Sequence, residues 1–299
     1  MENEEYTNFE SLVNEIYQKK FLTVILSMTF AILFLGSSFL LTKYYKSEAI
    51  MQIADSDNLR SNTFSAYSGI ADLAGINVDN DNVSRTDFAI ETITSRKFLT
   101  NFINEKRLIE LFAMEDWDEN TNVPLINANI YDEENNTWKR SKFFNKTSKP
   151  TKLEAYKKVM NNFEIFQDRD TGFIKVSYTH ISPSIAKNFL DDLILSVNQE
   201  IKDKEVLDAT KKVQYLNKEI ATTEVSEIRN ILSDLIKKEL SVIALSKTTD
   251  EYLLKIIDPP FLPEEHAFPK RLIFFISGLL FGLSLMIIIA LTNIIKKVK

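Results

Sequence analysis

Two long apolar runs without charge dominate the pattern of hydrophobic and polar positions, one near each end of the chain. Phe21 to Leu41 is rich in Phe, Leu and Ile, and its length of about 21 residues suits a helix crossing a bilayer core. Leu272 to Ile295 is a second such run, closed by Lys296, Lys297 and Lys299. Each predicts a transmembrane helix. The stretch before the first run is acidic (Glu2, Glu4, Glu5, Glu10, Glu15) and has no small-residue cleavage site, so that helix is expected to be retained rather than removed.

Two crossings put both termini on one side. Lys19, Lys20, Lys296, Lys297 and Lys299 flank the outer ends of the runs, and Lys43, Lys46, Lys270 and Arg271 flank the inner ends. This near balance leaves the charge rule almost silent. Loops longer than about 60 residues translocate largely regardless of charge, however, and short tails holding lysines at the membrane edge are the mark of cytoplasmic ends. The termini are therefore expected inside and the intervening domain outside.

Between the runs the periodicity changes several times. Tyr45 to Ala54 alternates, with Ala49, Met51 and Ile53 on one face, and predicts a strand leaving the membrane. The Ser-, Asn-, Asp- and Gly-rich stretch through Asp81 predicts a loop. Thr86 is expected to cap an amphipathic helix carrying Phe88, Ile90, Ile93, Phe98, Phe102 and Ile103, and Asn120 to Thr137 is polar and turn-rich. A short helix over Lys152–Asn162 leads to Phe163–Phe166, a turn at Asp168–Gly172 and the alternating run Phe173–Thr179, a β-hairpin in the same sheet as the first strand.

Ser182-Pro183-Ser184 opens the longest element, since proline is tolerated in a first helical turn. Ala186, Phe189, Leu190, Leu193, Val197 and Ile201 form one stripe, resumed by Val213, Leu216 and Ile220. A helix from Ser184 to about Ile220 is roughly 55 Å long and has to leave the base of the domain. Val225 to Leu245 is a second amphipathic run after Thr222-Thr223, and Glu251–Ile257 reads as a returning strand, so a helical hairpin is preferred to one straight rod. Pro259, Pro260, Pro263 and Pro269 then crowd a segment that excludes helix and central strand and favours a stiff, extended entry to the second span. Within that span, Gly278 and Gly282 stand in the small-xxx-small spacing that lets helix backbones approach closely.

Composition narrows the chemistry. With 299 residues and 44% hydrophobic content, the chain has length for one principal domain plus its membrane segments. A net charge of -6 without a concentrated basic face argues against a nucleic-acid partner. Cysteine is absent, which removes disulfides, thiolate metal sites and thiol nucleophiles. His180 and His266 are the two histidines, too few for a histidine-rich metal site or a Ser-His-Asp relay.

Three surface clusters have plainer readings. Lys139, Arg140, Lys142, Lys146, Lys149 and Lys152 suit an anionic glycan or lipid headgroup but read more simply as a solvated loop. Asp116, Asp118, Glu119, Asp132, Glu133 and Glu134 lie in a polar, turn-rich stretch with no apolar pocket to raise one carboxyl pKa, as glycoside chemistry requires. Trp117 and Trp138 are expected to anchor the small domain rather than stack on sugars. No catalytic, metal or cofactor residue is assigned, and the protein is not expected to be an enzyme.

Several blocks, in order, resemble the polysaccharide co-polymerases, specifically the Wzz-type O-antigen chain-length determinants of Gram-negative bacteria. They include Phe9-Glu10-Ser11-Leu12 to Lys19-Lys20, Tyr44–Gln52, Ala89-Ile90-Glu91 with Ser95 to Leu99, and Glu115 to Asp118 followed by Ile130-Tyr131-Asp132 and Trp138. Further blocks are Glu154-Ala155-Tyr156, Thr171 to Ser177, His180 to Ala186, and Ile257 to Pro260 through Pro269-Lys270-Arg271.

The resemblance implies an α+β architecture, with two transmembrane helices flanking a periplasmic α/β base that carries a long protruding helical hairpin. The expected boundaries are 1–20 cytoplasmic tail, 21–41 first span, 42–182 base, 183–248 arm, 249–271 return strand and proline-rich segment, 272–295 second span and 296–299 tail. It also implies an inner-membrane homo-oligomeric ring that sets modal O-antigen length on a separate polymerase, with the growing lipid-linked polysaccharide as a further partner. An adaptor of a capsule or exopolysaccharide export system is the alternative with the same topology. No Walker A loop G-x-x-x-x-G-K-[ST] occurs, which sets the kinase-bearing branch aside, and the few residues after Ile295 are too short for a sensor's output domain.

Overall fold

The computed structural model describes residues 9–54, 85–118, 121, 123–139 and 148–298. The chain divides into two compact units, Tyr45–Glu264 and the two flanking segments Met1–Tyr44 and Glu265–Lys299. The expected loop through Asp81 lies almost wholly outside the described residues.

The larger unit is built on a four-stranded sheet in the order β6-β7-β1-β8. β1 (Tyr45–Ile53) is an inner strand, antiparallel to both β7 (Ile174–His180) and β8 (Leu254–Asp258). β6 (Phe163–Gln167) joins β7 through a turn in which Gly172 takes φ 75°, a backbone angle that favours glycine. Asp168 closes that turn by accepting the N–H groups of Asp170 and Thr171 at 3.0 and 3.3 Å.

Strict alternation gives the sheet one apolar face. Ala49, Met51, Ile174, Val176 and Tyr178 are buried there, whereas Lys46 bridges Glu48 and Glu164 at 3.0 Å on the opposite face. α7 (Pro183–Thr222) covers the apolar face with Ala186, Phe189, Leu190, Leu193, Val197 and Ile201, all buried. The Phe189 ring stacks on that of Tyr178 with centroids 3.8 Å apart. α6 (Lys152–Asn162) starts on a full capping box between Thr151 and Glu154, and α7 is capped by Ser182 with Pro183 in its first turn.

The region after β1 differs from the expected single helix. α3 (Arg85–Thr94) stops at Ser95, which is extended and accepts the N–H of Phe98 to start α4 (Arg96–Phe102). A serine hydroxyl competes with the helical pattern in this way, and Thr86 is buried inside α3 rather than capping it. α5 (Glu105–Phe112), capped by Asn104, was not foreseen. The polar stretch beyond it holds two short ribbons, β2 (Met114–Trp117) with β3 (Pro124–Ile126) and β4 (Tyr131–Asp132) with β5 (Thr137–Trp138).

The long helix is 40 residues, about 60 Å at 1.5 Å per residue, and it breaks at Thr223. There the chain reverses into α8 (Ser226–Thr248), which packs antiparallel along α7 with Lys212 paired to Glu239 at 3.2 Å. The last buried positions are Ala209 on α7 and Val242 on α8; between residues 210 and 241 none is buried.

In the smaller unit, α1 (Phe9–Gln18) and α2 (Lys20–Ser38) are separated by a turn at Lys19, and α9 (Arg271–Val298) follows the proline-rich segment. The first long helix thus stops three residues short of Leu41.

Asn198 ties the arm to the sheet. Fully buried within the α7 stripe, its Oδ1 accepts the N–H groups of Leu253 and Leu254 at 2.9 and 2.8 Å, and its Nδ2 donates to the Leu254 carbonyl at 3.0 Å. Replacing it strands those backbone groups out of water. Asn198→Ala is expected to destabilise the fold by about 2–4 kcal/mol, read from the denaturant midpoint of the full chain in detergent; an unchanged midpoint would contradict this role.

Candidate functional site

The two long apolar helices lie antiparallel, in contact through small residues. Thr23, Ser27, Ala31 and Ser38 on α2 are buried, as are Gly278, Gly282, Met286 and Ala290 on α9. A Cβ placed on Gly278 would sit 2.6 Å from the Phe30 carbonyl oxygen and 2.7 Å from the Ala31 Cα. One placed on Gly282 would sit 2.5 Å from the Ser27 Cα. Neither position has room for any side chain. Phe281 reaches across to Phe30 and Phe34, with ring centroids 5.1 and 5.7 Å away.

The outward surfaces of the pair are apolar and exposed, as at Phe21 (77%), Leu40 (89%) and Leu272 (70%). Both helices are long and apolar enough to cross a membrane, and less than a quarter of either apolar window is buried. A core helix of a water-soluble domain hides its apolar residues instead.

The proline-rich segment is pinned as well as stiff. Pro259 is exposed, whereas Pro260, Pro263 and Pro269 are buried. Ser47 Oγ donates to the Phe261 carbonyl at 2.7 Å. Further on, the Tyr44 N–H donates to the Phe268 carbonyl at 2.9 Å and the Ala267 N–H to the Tyr44 carbonyl at 2.7 Å. Conformational restriction by proline is therefore one of three things holding the segment, beside burial and main-chain hydrogen bonds.

Asp116, Asp118 and Asp132 are used locally. Asp132 pairs with Lys139 at 2.7 Å and binds Asn135, which hold its carboxyl down at about 2. Asp116 accepts the Trp117 N–H, and Asp118 accepts from Thr121. Glu105 is paired with Lys149 and accepts the Trp138 indole N–H at 3.1 Å, so its carboxyl also lies below the ordinary range. Trp117 stands edge-on to Tyr45, and Trp138 to Tyr131, as anchors of this region. Glu119, Arg140, Lys142 and Lys146 lie outside the described residues.

His180 is part of the joint between sheet and arm. Its Nδ1 accepts the Ser182 N–H at 3.1 Å, so the ring proton sits on Nε2 and is donated to the Glu110 carbonyl at 3.1 Å. Burial pushes its pKa down to about 4. Burial likewise raises the carboxyl of Glu110. Two residues that sequence reasoning passed over, Asn198 and Ser47, carry hydrogen bonds important to the layout. The visible signal for Asn198 was a polar residue on the apolar stripe of α7.

These features define a class: a mixed helix-and-sheet domain with a long helical hairpin, in a chain bearing near each end a helix able to span a membrane. Residues 6–106, about a third of the chain, match the model of the Wzz family, chain length determinant protein. That match supports the resemblance read from the residues, from the segment before α2 to the start of α5.

Two solved structures are similar to it. One is a full-length bacterial polysaccharide co-polymerase, 16% identical, with TM-score 0.37 over 97% of this chain and 98% of that one. The other is a fragment of WzzB, a polysaccharide co-polymerase from Salmonella Typhimurium, 13% identical, with TM-score 0.35 over 76% of this chain and 100% of that one. No curated protein sequence matches the chain closely enough to count as a relative.

The buried histidine sets a pH dependence with a definite sign. Because the folded pKa lies near 4, below the ordinary 6.5, the unfolded chain takes up a proton first as pH falls. Stability from His180 is complete above about pH 6.5 and is lost progressively towards pH 4, a loss of roughly 3 kcal/mol. Between pH 7 and pH 5 about 2 kcal/mol of this should be lost, read from denaturant midpoints of the full chain in detergent, and His180→Gln should shrink the difference; an equal slope in the variant would remove His180 as its source.

Proposed function

We propose that the protein sets the modal chain length of a polysaccharide, the O-antigen of lipopolysaccharide, as a non-catalytic oligomeric scaffold acting on a separate polymerase in the bacterial inner membrane. The observation that carries this reading is the Wzz match over residues 6–106, in a chain that also has a second helix able to span the membrane and a long helical hairpin between the two. In this reading residues 1–20 and 296–299 are cytoplasmic, 21–41 and 272–295 span the membrane, and the base, arm and return segment are periplasmic.

Self-assembly is supported by the far half of the hairpin. Leu207, Tyr215, Ile228, Leu235 and Leu240 are between 43% and 62% exposed there, more apolar surface than two helices alone can hide. Neighbouring copies arranged in a ring would cover it. The growing lipid-linked polysaccharide is the further partner of this reading. Gly278 and Gly282 act by setting the distance between the spans, and Pro259, Pro260, Pro263 and Pro269 by fixing the re-entry of the chain.

The lipopolysaccharide ladder on a gel, with and without the gene, tests the function. Its loss should replace a clustered modal length by a broad distribution, and an unchanged ladder would contradict the reading. In the same assay, Pro260→Ala, Pro263→Ala and Pro269→Ala together should broaden or shorten the distribution at matched protein levels. Because all three are buried, the effect combines lost packing with added backbone freedom.

A further inference from the structure

Two segments far apart in sequence bring exposed apolar side chains to one end of the larger unit, the start of β1. The β2–β3 ribbon ends in a rung of Trp117 opposite Pro124, closed by the Asp118 N–H donating to the Val123 carbonyl at 3.0 Å. The half-buried Trp117 ring stands edge-on to Tyr45, the first residue of β1, with centroids 5.7 Å apart. Around that rung Val123 and Leu125 are 52% and 50% exposed. The proline-rich segment reaches the same strand start, where its Phe261 carbonyl accepts the Ser47 hydroxyl at 2.7 Å. Phe261 and Leu262 are 49% and 53% exposed there.

Both ends of the unit's chain lead from here to an apolar helix. Six residues separate Ser38, the last of α2, from Tyr45, and six separate Glu264 from Arg271, the first of α9. Each link spans at most about 25 Å. Charge then limits the depth. Every charged residue in 114–126 and 258–264 is acidic: Glu115, Asp116, Asp118, Glu119, Asp258 and Glu264. Attraction to anionic headgroups is thereby excluded, and carboxylates stay out of the acyl layer.

We infer that this end of the larger unit rests in the interfacial layer of the bilayer that the flanking helices cross. Val123, Leu125, Phe261 and Leu262 enter the upper acyl region, Trp117 lies at the headgroup level where indole rings concentrate, and the carboxylates face headgroups and water. One exposed leucine needs no partner, but four apolar side chains from two segments, at the end tethered to both apolar helices, match a shallow membrane contact. The inference rests on the helices crossing a membrane and on no role in polysaccharide synthesis.

The protein lacks cysteine, so a nitroxide label on Leu125→Cys or Leu262→Cys in the full chain, reconstituted in phosphatidylcholine vesicles, reports the depth of each segment. Oxygen, which concentrates among acyl chains, should relax both labels more than a water-soluble nickel chelate does. A label on Glu224→Cys, at the reversal of the arm, should show the opposite order, with an oxygen-to-nickel ratio several-fold lower. Adding phosphatidylglycerol should not raise the oxygen preference at 125 and 262, because no cation on either segment meets its headgroup; a rise would overturn the acyl contact.

Protection of both labels from oxygen and nickel alike would place this end against protein, a second copy included, and would also overturn the inference. A label on Leu280→Cys, 61% exposed on α9, reports the span itself. Oxygen preference there with nickel preference at 125 and 262 would overturn the inference alone, whereas nickel preference at all three would overturn the membrane reading with it.

Discussion

Antiparallel backbone pairing between segments far apart in sequence is the interaction on which the layout of each unit depends. β8 runs back along β1, with Leu254 opposite Ile53 and Asp258 opposite Ile50. The isolated bridge between Tyr44 and Phe268 repeats the antiparallel arrangement within the smaller unit. In the sheet, β1 is flanked by the hairpin strand β7 on one edge and by the returning strand β8 on the other. The long arm is an excursion between β7 and β8, and Asn198 fastens its base to the strand that ends the excursion.

The two units are held together internally by different physics. The sheet and α7 gain from removing apolar surface from water, at roughly 25 cal/mol per Å2, and Tyr178, Phe189 and Leu190 are buried at their centre. Two helices in lipid gain nothing from that effect, because acyl chains are as apolar as leucine, and their association depends on close packing. Gly278 and Gly282 allow the α9 backbone to come within contact distance of Ser27 and Ala31 on α2, which a single methyl group would prevent. The far half of the arm gains less from burial: Val213, Leu216, Ile220, Leu232 and Ile236 are only half-buried, and Tyr215, Ile228 and Leu235 are exposed.

The elements with clean periodicity were legible in the sequence. The alternation in Tyr45–Ile53, the proline-led start of α7 at Ser182-Pro183, the capped helix Lys152–Asn162 and the break at Thr222-Thr223 all carry local signals that packing did not override. The break at Ser95 was missed because apolar positions continue in helical register across it, and only the hydroxyl hydrogen bond to the Phe98 N–H reveals the restart. α5 was hidden by its brevity. The contributions of Asn198, Ser47 and His180 depend on partners between 2 and 214 positions away, and periodicity carries no information about those distant pairings. For the prolines, the sequence indicated restriction but not that Pro260, Pro263 and Pro269 are buried.

The central structural claim is that the glycines of α9 pack its backbone against α2 of the same chain. Since the protein has no cysteine, thiols introduced by Phe30→Cys and Phe281→Cys report that contact without background. A short bifunctional thiol reagent applied in native membranes should join the two helices within one chain, so that fragments cut between them stay linked at monomer mass. Adding Gly278→Leu and Gly282→Leu should abolish the link. Crosslinks found only between chains, or a link within the chain that survives both leucines, would contradict the account.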